Sequence, residues 1–483
     1  MPLIAILSWP LIALIFFVQL PFARALVVST LVGYLLLPER FEVDLPGLPP
    51  VDKPFVLMLG MLLGALVYRS QAKTPSQGER ENQGIWIGRI LICAIVVLFL
   101  SPVMTILSNR APLFVGPTVL PGMRPWDLLG MALNTLYFLV PFLLARRYLA
   151  TPEMHRMLLT AFVTAGLLYS LLVLFEVRMS PQLHNWVYGY HQHSFVQHIR
   201  DGAFRPKVFL EHGLWVGFFL FTVTLAAVAL VRSSSAPKRI PYLLAAVWLF
   251  GVLFLSRNLG AWMIAITMIG LLFVPRIWQI RAVFAVVIPF LLYPALRQAG
   301  LVPTARITEF AADISANRAQ SFQFRLENED QLLARALEKP VFGWGTWGRG
   351  LIYNDQGERT STSDGTWIIV LGAQGWVGYL CLFALLTLPL LALKRVKSRK
   401  EIPIETIALA LIMTGNIIYL IPNATLTPLA WLTAGALAGF VQFDQMVQGN
   451  EGEATSSSPR RTARYTRFAQ TRNRSLARHA DIN

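Results

Sequence analysis

The stretch PVFGWGTWGRGLIYNDQGERTSTSDGTWIIVLGAQGWVGYL, from Pro340 to Leu380, decides how the rest of the chain is interpreted. It begins as a polar, glycine-rich loop with Gly343, Gly345, Gly348 and Gly350. It then passes through a hydroxyl-rich run around Asp364 and becomes apolar for long enough to cross a bilayer. A polar site is therefore joined directly to a membrane-spanning helix.

The composition places the chain among integral membrane proteins. Of its 483 residues, 55% are hydrophobic and only 14% are charged, which leaves too little polar surface to cover a soluble fold. The net charge of +16 does not indicate a nucleic-acid partner, because Lys and Arg lie in short breaks between apolar runs and in the C-terminal tail. Cys93 and Cys381 both lie inside apolar runs, so we expect neither a disulfide nor a thiolate metal site.

Thirteen apolar runs predict an all-α polytopic protein with about 12 to 13 membrane-spanning helices. The first two runs are separated only by Pro21 and Arg24, so they form a tight helical pair or one kinked element, and we favour the pair. The predicted spans are 3–20, 22–37, 55–68, 85–107, 128–144, 157–177, 209–231, 242–255, 259–274, 282–296, 366–393, 404–421 and 429–443.

The basic residues predict the orientation of these spans. They fall in every second connection, and basic connections face the cytoplasm. The opposite, outer face then carries two long polar connections, 178–208 and 297–365. Residues 1–443 are interpreted as the multi-span domain. The arginine-rich segment 444–483 is interpreted as a disordered cytoplasmic tail that rests on anionic lipid or, alternatively, docks a cytosolic partner.

The first long connection is rich in imidazole side chains. It contains or adjoins His184, His191, His193, His198 and His212. The His-x-His pair at 191 and 193 resembles a pair of metal ligands on a strand, but no helical or finger spacing completes the set. The interleaved aromatic residues suit a loop at headgroup level or a sugar-binding surface. We therefore assign no metal ligands.

Ionisable residues lie at the ends of two predicted spans on the outer face. Arg205, Glu211 and His212 close the first long connection, where such groups are costly unless they are paired or functional. A structural clamp between Glu211 and Arg205 and a functional role for Glu211 remain open alternatives. Arg257 lies between two spans too close together for a loop, so it either snorkels to the interface or serves as an anion ligand.

The second long connection predicts an amphipathic helix. Apolar residues from Ile307 to Leu337 recur at helical spacing, which indicates a helix that lies on the membrane or caps a cavity. Arg325 stands among polar residues as if in a site, and Pro340 ends the helix. The glycine-rich loop that follows could bring backbone amides close to an anionic ligand.

From Arg325 through Gly343-Trp344-Gly345 to Gly375-x-x-Gly378, the chain resembles the C-terminal signature of the O-antigen ligase and polysaccharide polymerase superfamily. These are many-span inner-membrane enzymes of bacterial surface glycan assembly. In the ligases the signature is His, then Asn, Ser or Gln, then nine residues and Gly-x-x-Gly. Here Asp364 and Gly365 occupy the first two positions, and nine residues separate Gly365 from Gly375.

The resemblance implies a GT-C-like helical glycosyltransferase without a cofactor. It implies a periplasmic active face, a polyprenyl-diphosphate-linked (undecaprenyl-type) glycan as donor, and a metal-independent, inverting transfer. Arginine suits the pyrophosphate because its planar fork donates several hydrogen bonds. The candidate residues are Asp364, with Glu211 or His212 as competitors, for the base; Arg205, Arg257 and Arg325 for the pyrophosphate; and Gly343, Gly345, Gly375 and Gly378 for loop and helix geometry.

The absence of the ligase histidine favours a polymerase of lipid-linked repeat units in exopolysaccharide biosynthesis over an O-antigen ligase. A chain-length regulator and other glycan assembly proteins are the expected partners, together with membrane lipid. Two other classes stay open. A transporter of lipid-linked sugars would show broken helices near mid-membrane in corresponding halves, and a non-catalytic assembly scaffold would keep the fold without the base.

Overall fold

Helices build nearly all of the fold in a computed structural model of the protein. The structure describes residues 1–44, 49–71, 85–200, 202–314, 316–396 and 402–456. The helices are α1 (Pro2–Gln19), α2 (Phe22–Leu36), α3 (Lys53–Gln71), α4 (Ile85–Leu107), α5 (Asp127–Tyr148), α6 (Pro152–Met179), α7 (Leu183–Tyr188), α8 (Gly213–Ser233), α9 (Ala236–Leu255), α10 (Leu259–Leu272), α11 (Arg276–Gln298), α12 (Thr304–Ile314), α13 (Ala316–Leu337), α14 (Thr366–Ala392), α15 (Ile404–Tyr419) and α16 (Pro428–Ser456). Two short antiparallel hairpins pair β1 (Leu113–Val115) with β2 (Thr118–Leu120), and β3 (Ile199–Arg200) with β4 (Ala203–Phe204).

The helix pattern agrees with a multi-pass membrane protein. Within the described residues, eight helices are long and apolar enough to cross a membrane: α1, α4, α5, α6, α8, α9, α11 and α14. Five further helices, α2, α3, α10, α15 and α16, hold shorter apolar stretches at the other predicted spans. Each of the thirteen predicted apolar runs therefore holds a helix, and α1 and α2 are separate, as the favoured pair required.

The core lies around α8 and α15, which are buried on nearly every side. Helix α8 packs against α6, α9, α10 and α15, while α5 packs chiefly against α16. Glycines let the second pair approach closely, because a Cβ at Gly435 or Gly439 would lie 2.3 Å from a backbone oxygen of α5. The outermost helix, α1, exposes Ile4, Leu7 and Leu11 in the way that a lipid-facing helix does.

One end of the bundle gathers the two long connections, and we call it the loop face. The α2–α3 connection reaches the first long connection, where Arg40 binds Glu211. Asn109, after α4, donates from Nδ2 to the Gly343 carbonyl at 3.0 Å in the second long connection. The candidate site residues are thus carried on loops that rest on one another.

Three of the differences from the predicted element bounds fall on the two long connections and the tail. The span predicted from 209 begins at Gly213, because Glu176 holds residues 207 and 208 in an irregular turn. The predicted amphipathic helix is present as two helices, α12 and α13. Helix α16 continues to Ser456, into the segment predicted to be disordered, and residues 457–483 lie outside the described part of the chain.

Candidate functional site

Arg325 and Asp364 form an ion pair at the loop face. The Nε atom of Arg325, on α13, lies 3.2 Å from Oδ2 of Asp364, and both side chains are about one-third exposed. Arg325 also donates from Nη1 to the Pro422 carbonyl at 3.3 Å, after α15. Two candidates that the sequence placed in one polar site therefore touch, and both remain open to solvent.

Asp364 is held by the residues that follow it. A Cβ at Gly365 would lie 2.3 Å from the Ile421 carbonyl oxygen, so only glycine fits the space beside the α15–α16 connection. The next residue, Thr366, donates its N–H to the Leu420 carbonyl at 3.1 Å and its hydroxyl to the Asn423 carbonyl at 2.9 Å. The first turn of α14 is thereby fixed against the end of α15.

Helix α14 is broken at Gly375, whose φ of 64° is left-handed. In an unbroken helix the carbonyls of residues 372 and 373 would accept from the amides of residues 376 and 377. The segment 340–345 takes up all four groups instead. The bonds run from Trp344 N–H to Gly372 O (2.8 Å), from Gly345 N–H to Ala373 O (2.9 Å), from Trp376 N–H to Pro340 O (2.7 Å) and from Val377 N–H to Val341 O (3.2 Å).

Glycines of the predicted signature allow segment 340–345 to pack into the break of α14. Gly343 and Gly345 have φ of 70° and 77°, and a Cβ at Gly343 would lie 2.5 Å from the Ala373 backbone. A Cβ at Gly378 would meet the Gln374 side chain at 2.2 Å. The expectation that loop amides face an anionic ligand is wrong for residues 343–345, because their N–H groups donate to backbone carbonyls at 339, 372 and 373.

A cavity of about 180 Å³ opens between α13, the glycine-rich loop and the first turns of α14. Its walls include Leu332, Gly348, Gly350, Ser363, Ile368 and Gly372. Glycine backbone and aliphatic side chains make up most of this surface. Ser363, which lines the cavity, directly precedes Asp364 in the chain.

Glu329 is a buried carboxyl that the sequence analysis did not single out. It lies one helical turn after Arg325, is 6% exposed, and accepts from Trp367 Nε1 at 3.4 Å. Burial raises the pKa of Glu329 to about 7, against the lowering effects of the Trp367 hydrogen bond and the Arg297 charge. The sequence held one signal for this residue: Glu329 follows Arg325 by four positions, which places both side chains on the same face of the helix. Perturbed carboxyls of this kind cluster at functional sites.

Arg205 and Arg257 lie near a buried hydrogen-bonded pair, Asn258 and Tyr419. Asn258 Nδ2 donates to the Tyr419 hydroxyl at 2.9 Å, and that hydroxyl donates to the Leu214 carbonyl at 3.2 Å. The Arg205 side chain packs over Gly213, where a Cβ would lie 2.7 Å from it. Arg205 and Arg325 both act electrostatically on the Tyr419 hydroxyl, so two predicted arginines approach this point from different connections.

Arg257 directly precedes Asn258 and is exposed. Its φ of 58° is unusual for a residue with a side chain, and such strain persists where the surroundings enforce it. The conformation ends α9 and starts α10 within a few residues, which leaves the guanidinium on the loop face. The snorkelling and anion-ligand interpretations both agree with this exposure.

Glu211 pairs with a residue that the sequence analysis did not consider. Its Oε1 lies 2.8 Å from Nη2 of Arg40, whose Nε donates to the same oxygen at 3.2 Å. Glu211 therefore has a partner, Arg40, that the clamp hypothesis did not name.

His212 caps helix α8. Its Nδ1 accepts the Leu214 N–H at 3.1 Å. The ring also stands beside His193 and His198, at centroid distances of 4.8 and 4.6 Å. Burial lowers the pKa of His198 to about 4, so its imidazole is neutral at physiological pH. The His191 ring lies against Phe195 instead of joining this cluster of imidazoles. The His-x-His pair considered in the sequence, His191 with His193, is therefore not the one that the fold brings together.

The first long connection is closed by Glu176, at the end of α6, which sequence reasoning also missed. Its buried carboxylate accepts N–H bonds from Leu183 (3.0 Å), Lys207 (2.9 Å) and Val208 (2.7 Å). The start and the end of the connection are thereby tied to one side chain.

Comparison with protein-family models finds no match to this chain, and comparison with curated proteins finds none either. The geometry of the loop face is therefore what a functional assignment rests on.

Proposed function

We propose that this protein is a glycan transferase of the bacterial inner membrane that works at the periplasmic face, most simply as a polymerase of polyprenyl-diphosphate-linked repeat units. The contact between Arg325 and Asp364 carries the proposal. It joins an anion-binding group to a proton acceptor two residues before a membrane-spanning helix begins, and the residue before Asp364 lines a cavity. A lipid-linked sugar diphosphate offers the matching chemistry.

In the proposed reaction, a hydroxyl oxygen of the acceptor sugar attacks the anomeric carbon of the donor. The bond from that carbon to the diphosphate breaks, the configuration inverts, and the hydroxyl proton passes to the Asp364 carboxylate. Arg325 binds the diphosphate as its charge develops, with Arg205 and Arg257 as further ligands from the neighbouring connections. Because the diphosphate leaves as a stable anion, no general acid is required.

The two competing bases are less suited to this role. The Glu211 carboxylate is engaged by two nitrogen atoms of Arg40. The His212 Nδ1 lone pair is occupied by the Leu214 amide. Among the described residues, Asp364 makes one ion pair, with Arg325, and about one-third of its side chain stays exposed to a ligand.

The proposal is tested by mass analysis of polyprenyl-diphosphate-linked saccharides extracted from cells with and without the protein. A polymerase predicts that single repeat units accumulate in its absence. Long chains that stay on the carrier would identify a ligase instead. An unchanged lipid-linked pool would contradict both assignments.

The break in α14 favours a transporter as the second candidate, because transporters bind substrate at interrupted helices. In this chain, however, backbone from residues 340–345 satisfies the groups that the break frees. Intact spheroplasts separate the two functions. Units that accumulate without a polymerase are open to a membrane-impermeant glycosidase, whereas units that accumulate without a flippase are protected.

A further inference from the structure

Three imidazoles meet on the loop face, away from the Arg325–Asp364 pair. His193 and His198 come from the first long connection, and His212 precedes α8. Their ligand nitrogen atoms all lie within 4.8 Å of one another. Among the described residues, no other set of three His, Cys, Asp or Glu side chains has its ligand atoms this close.

Two of the rings present buried nitrogen atoms. Nδ1 of His198 lies 2.9 Å from the Ser194 carbonyl oxygen, which can only accept, so Nδ1 carries the proton and Nε2 is unprotonated. That Nε2 atom and Nδ1 of His193 are buried, and neither has a hydrogen-bond partner among the described residues. A hydrogen bond from one ring nitrogen to a backbone carbonyl is the arrangement that orients histidines bound to metals.

The third ring is fixed by the helix it caps. Coordination through Nδ1 of His212 exchanges its hydrogen bond from Leu214 for a coordinate bond, which is far stronger than a helix cap. A tetrahedral zinc ion with bonds of about 2.0 Å holds its ligand atoms about 3.3 Å apart, so each ring has to move inward by about 1 Å.

Three cationic side chains act on the rings: Arg40, Lys207 and Arg205. Arg40 is bound by Glu211, and Lys207 lies within electrostatic reach of Glu176. The ligand atoms themselves are imidazole nitrogen atoms. Such a set selects ions of the zinc class over magnesium or calcium.

We propose that His193, His198 and His212 bind one divalent transition-metal ion, with zinc as the best fit and a water molecule in the fourth position. The site lies beyond the proposed transfer reaction, which uses no metal. Its ligands flank Arg205 in the chain, so a bound ion ties the segment that carries Arg205 to the N-terminus of α8. The ion therefore stabilises the conformation of the first long connection.

The first test uses the purified full-length chain in detergent, stripped of metal and titrated with Co²⁺. We expect the protein to bind one equivalent of Co²⁺ with the intense visible absorption of a tetrahedral site. Zn²⁺ should displace the bound Co²⁺ and abolish this absorption. Affinity should fall at least 100-fold in His193→Ala and in His198→Ala. It should stay unchanged in the control His191→Ala, which alters an exposed imidazole of the same connection. Equal binding by all three variants would overturn the proposal.

A second test needs no variant and so does not depend on how the alanine proteins fold. X-ray absorption of the zinc-loaded protein should show three imidazole nitrogen atoms at about 2.0 Å. A shell of oxygen atoms alone, or no retained zinc after desalting, would overturn the proposal. Neither result bears on the transfer reaction, so the two proposals stand or fall separately.

Discussion

The carboxylate of Asp364 lies 3.2 Å from the guanidinium of Arg325, although the whole glycine-rich loop separates the two residues in the chain. Arg325 is carried by α13, and Asp364 lies two residues before α14 begins. The loop between them is fastened into the break of α14 by four backbone hydrogen bonds. The geometry of the ion pair therefore depends on the glycines as much as on the charges.

Replacing Arg325 with lysine keeps the charge but removes the planar fork. We expect the lipid-linked donor to need a roughly 10-fold higher concentration for half-maximal transfer, because one charge-assisted hydrogen bond is lost. Kinetics with the reconstituted protein measure this. The matched control is Arg306→Lys, at an exposed arginine of α12. The same change in both variants would show that the effect is not specific to Arg325.

Replacing Gly343 with alanine should destabilise the insertion of the loop. The alanine would have to adopt a left-handed conformation with its Cβ 2.5 Å from the Ala373 backbone. We expect the free energy of unfolding to fall by about 3 kcal/mol, from strain and overpacking together. Thermal unfolding in detergent measures the effect.

The control for that experiment is Gly372→Ala. A Cβ there meets nothing within 4 Å, although Gly372 lies in the same contact. Its stability should be unchanged or higher by up to about 1 kcal/mol. Equal losses in the two variants would contradict the structural role given to Gly343.

The raised pKa of Glu329 predicts that the stability of the protein depends on pH. Its pKa is raised by burial from about 4.5 to about 7, so the folded protein keeps a proton that the unfolded chain releases between these values. The free energy of unfolding therefore falls as the pH rises from about 5 to 7 and stays lower above that. The Glu329→Gln variant should be more stable than the unmodified protein at pH 8, by up to about 3 kcal/mol, and nearly equal to it at pH 5.

Unfolding midpoints at the two pH values measure this difference. Glu327→Gln serves as the control, because that residue is exposed on the same helix. The stability difference between Glu329→Gln and the unmodified protein should change between pH 5 and pH 8. The same difference at both pH values would show that burial does not keep the carboxyl protonated.

Apolar run length predicted the helices of the bundle well, because the bilayer sets a length that is visible in the sequence. The family resemblance gave Arg325 and Asp364 roles at one reaction centre, but no residue pattern predicted their contact. The break at Gly375 was not predictable, because a run can stay apolar while its backbone hydrogen bonds are redirected to another segment. Only the left-handed residues reveal such a break, and glycine alone does not identify one.

Long-range partners were the other failure of sequence reasoning. Glu211 binds Arg40, 171 positions earlier in the chain, and no local pattern connects them. His193, His198 and His212 come together because Glu176 folds the first long connection back on itself. Glu329 looks like a surface carboxyl in the sequence, and only the packing of α14 against α13 buries it.

The central claim is that Asp364 accepts the proton of the attacking sugar hydroxyl. Purified protein in proteoliposomes, supplied with a polyprenyl-diphosphate-linked repeat unit, should form longer chains and release polyprenyl diphosphate. Asp364→Asn should lower that rate at least ~100-fold with the fold intact, while Glu358→Gln, at an exposed carboxyl of the same connection, should leave it unchanged. Chain formation by Asp364→Asn at the rate of the unmodified protein would contradict the account.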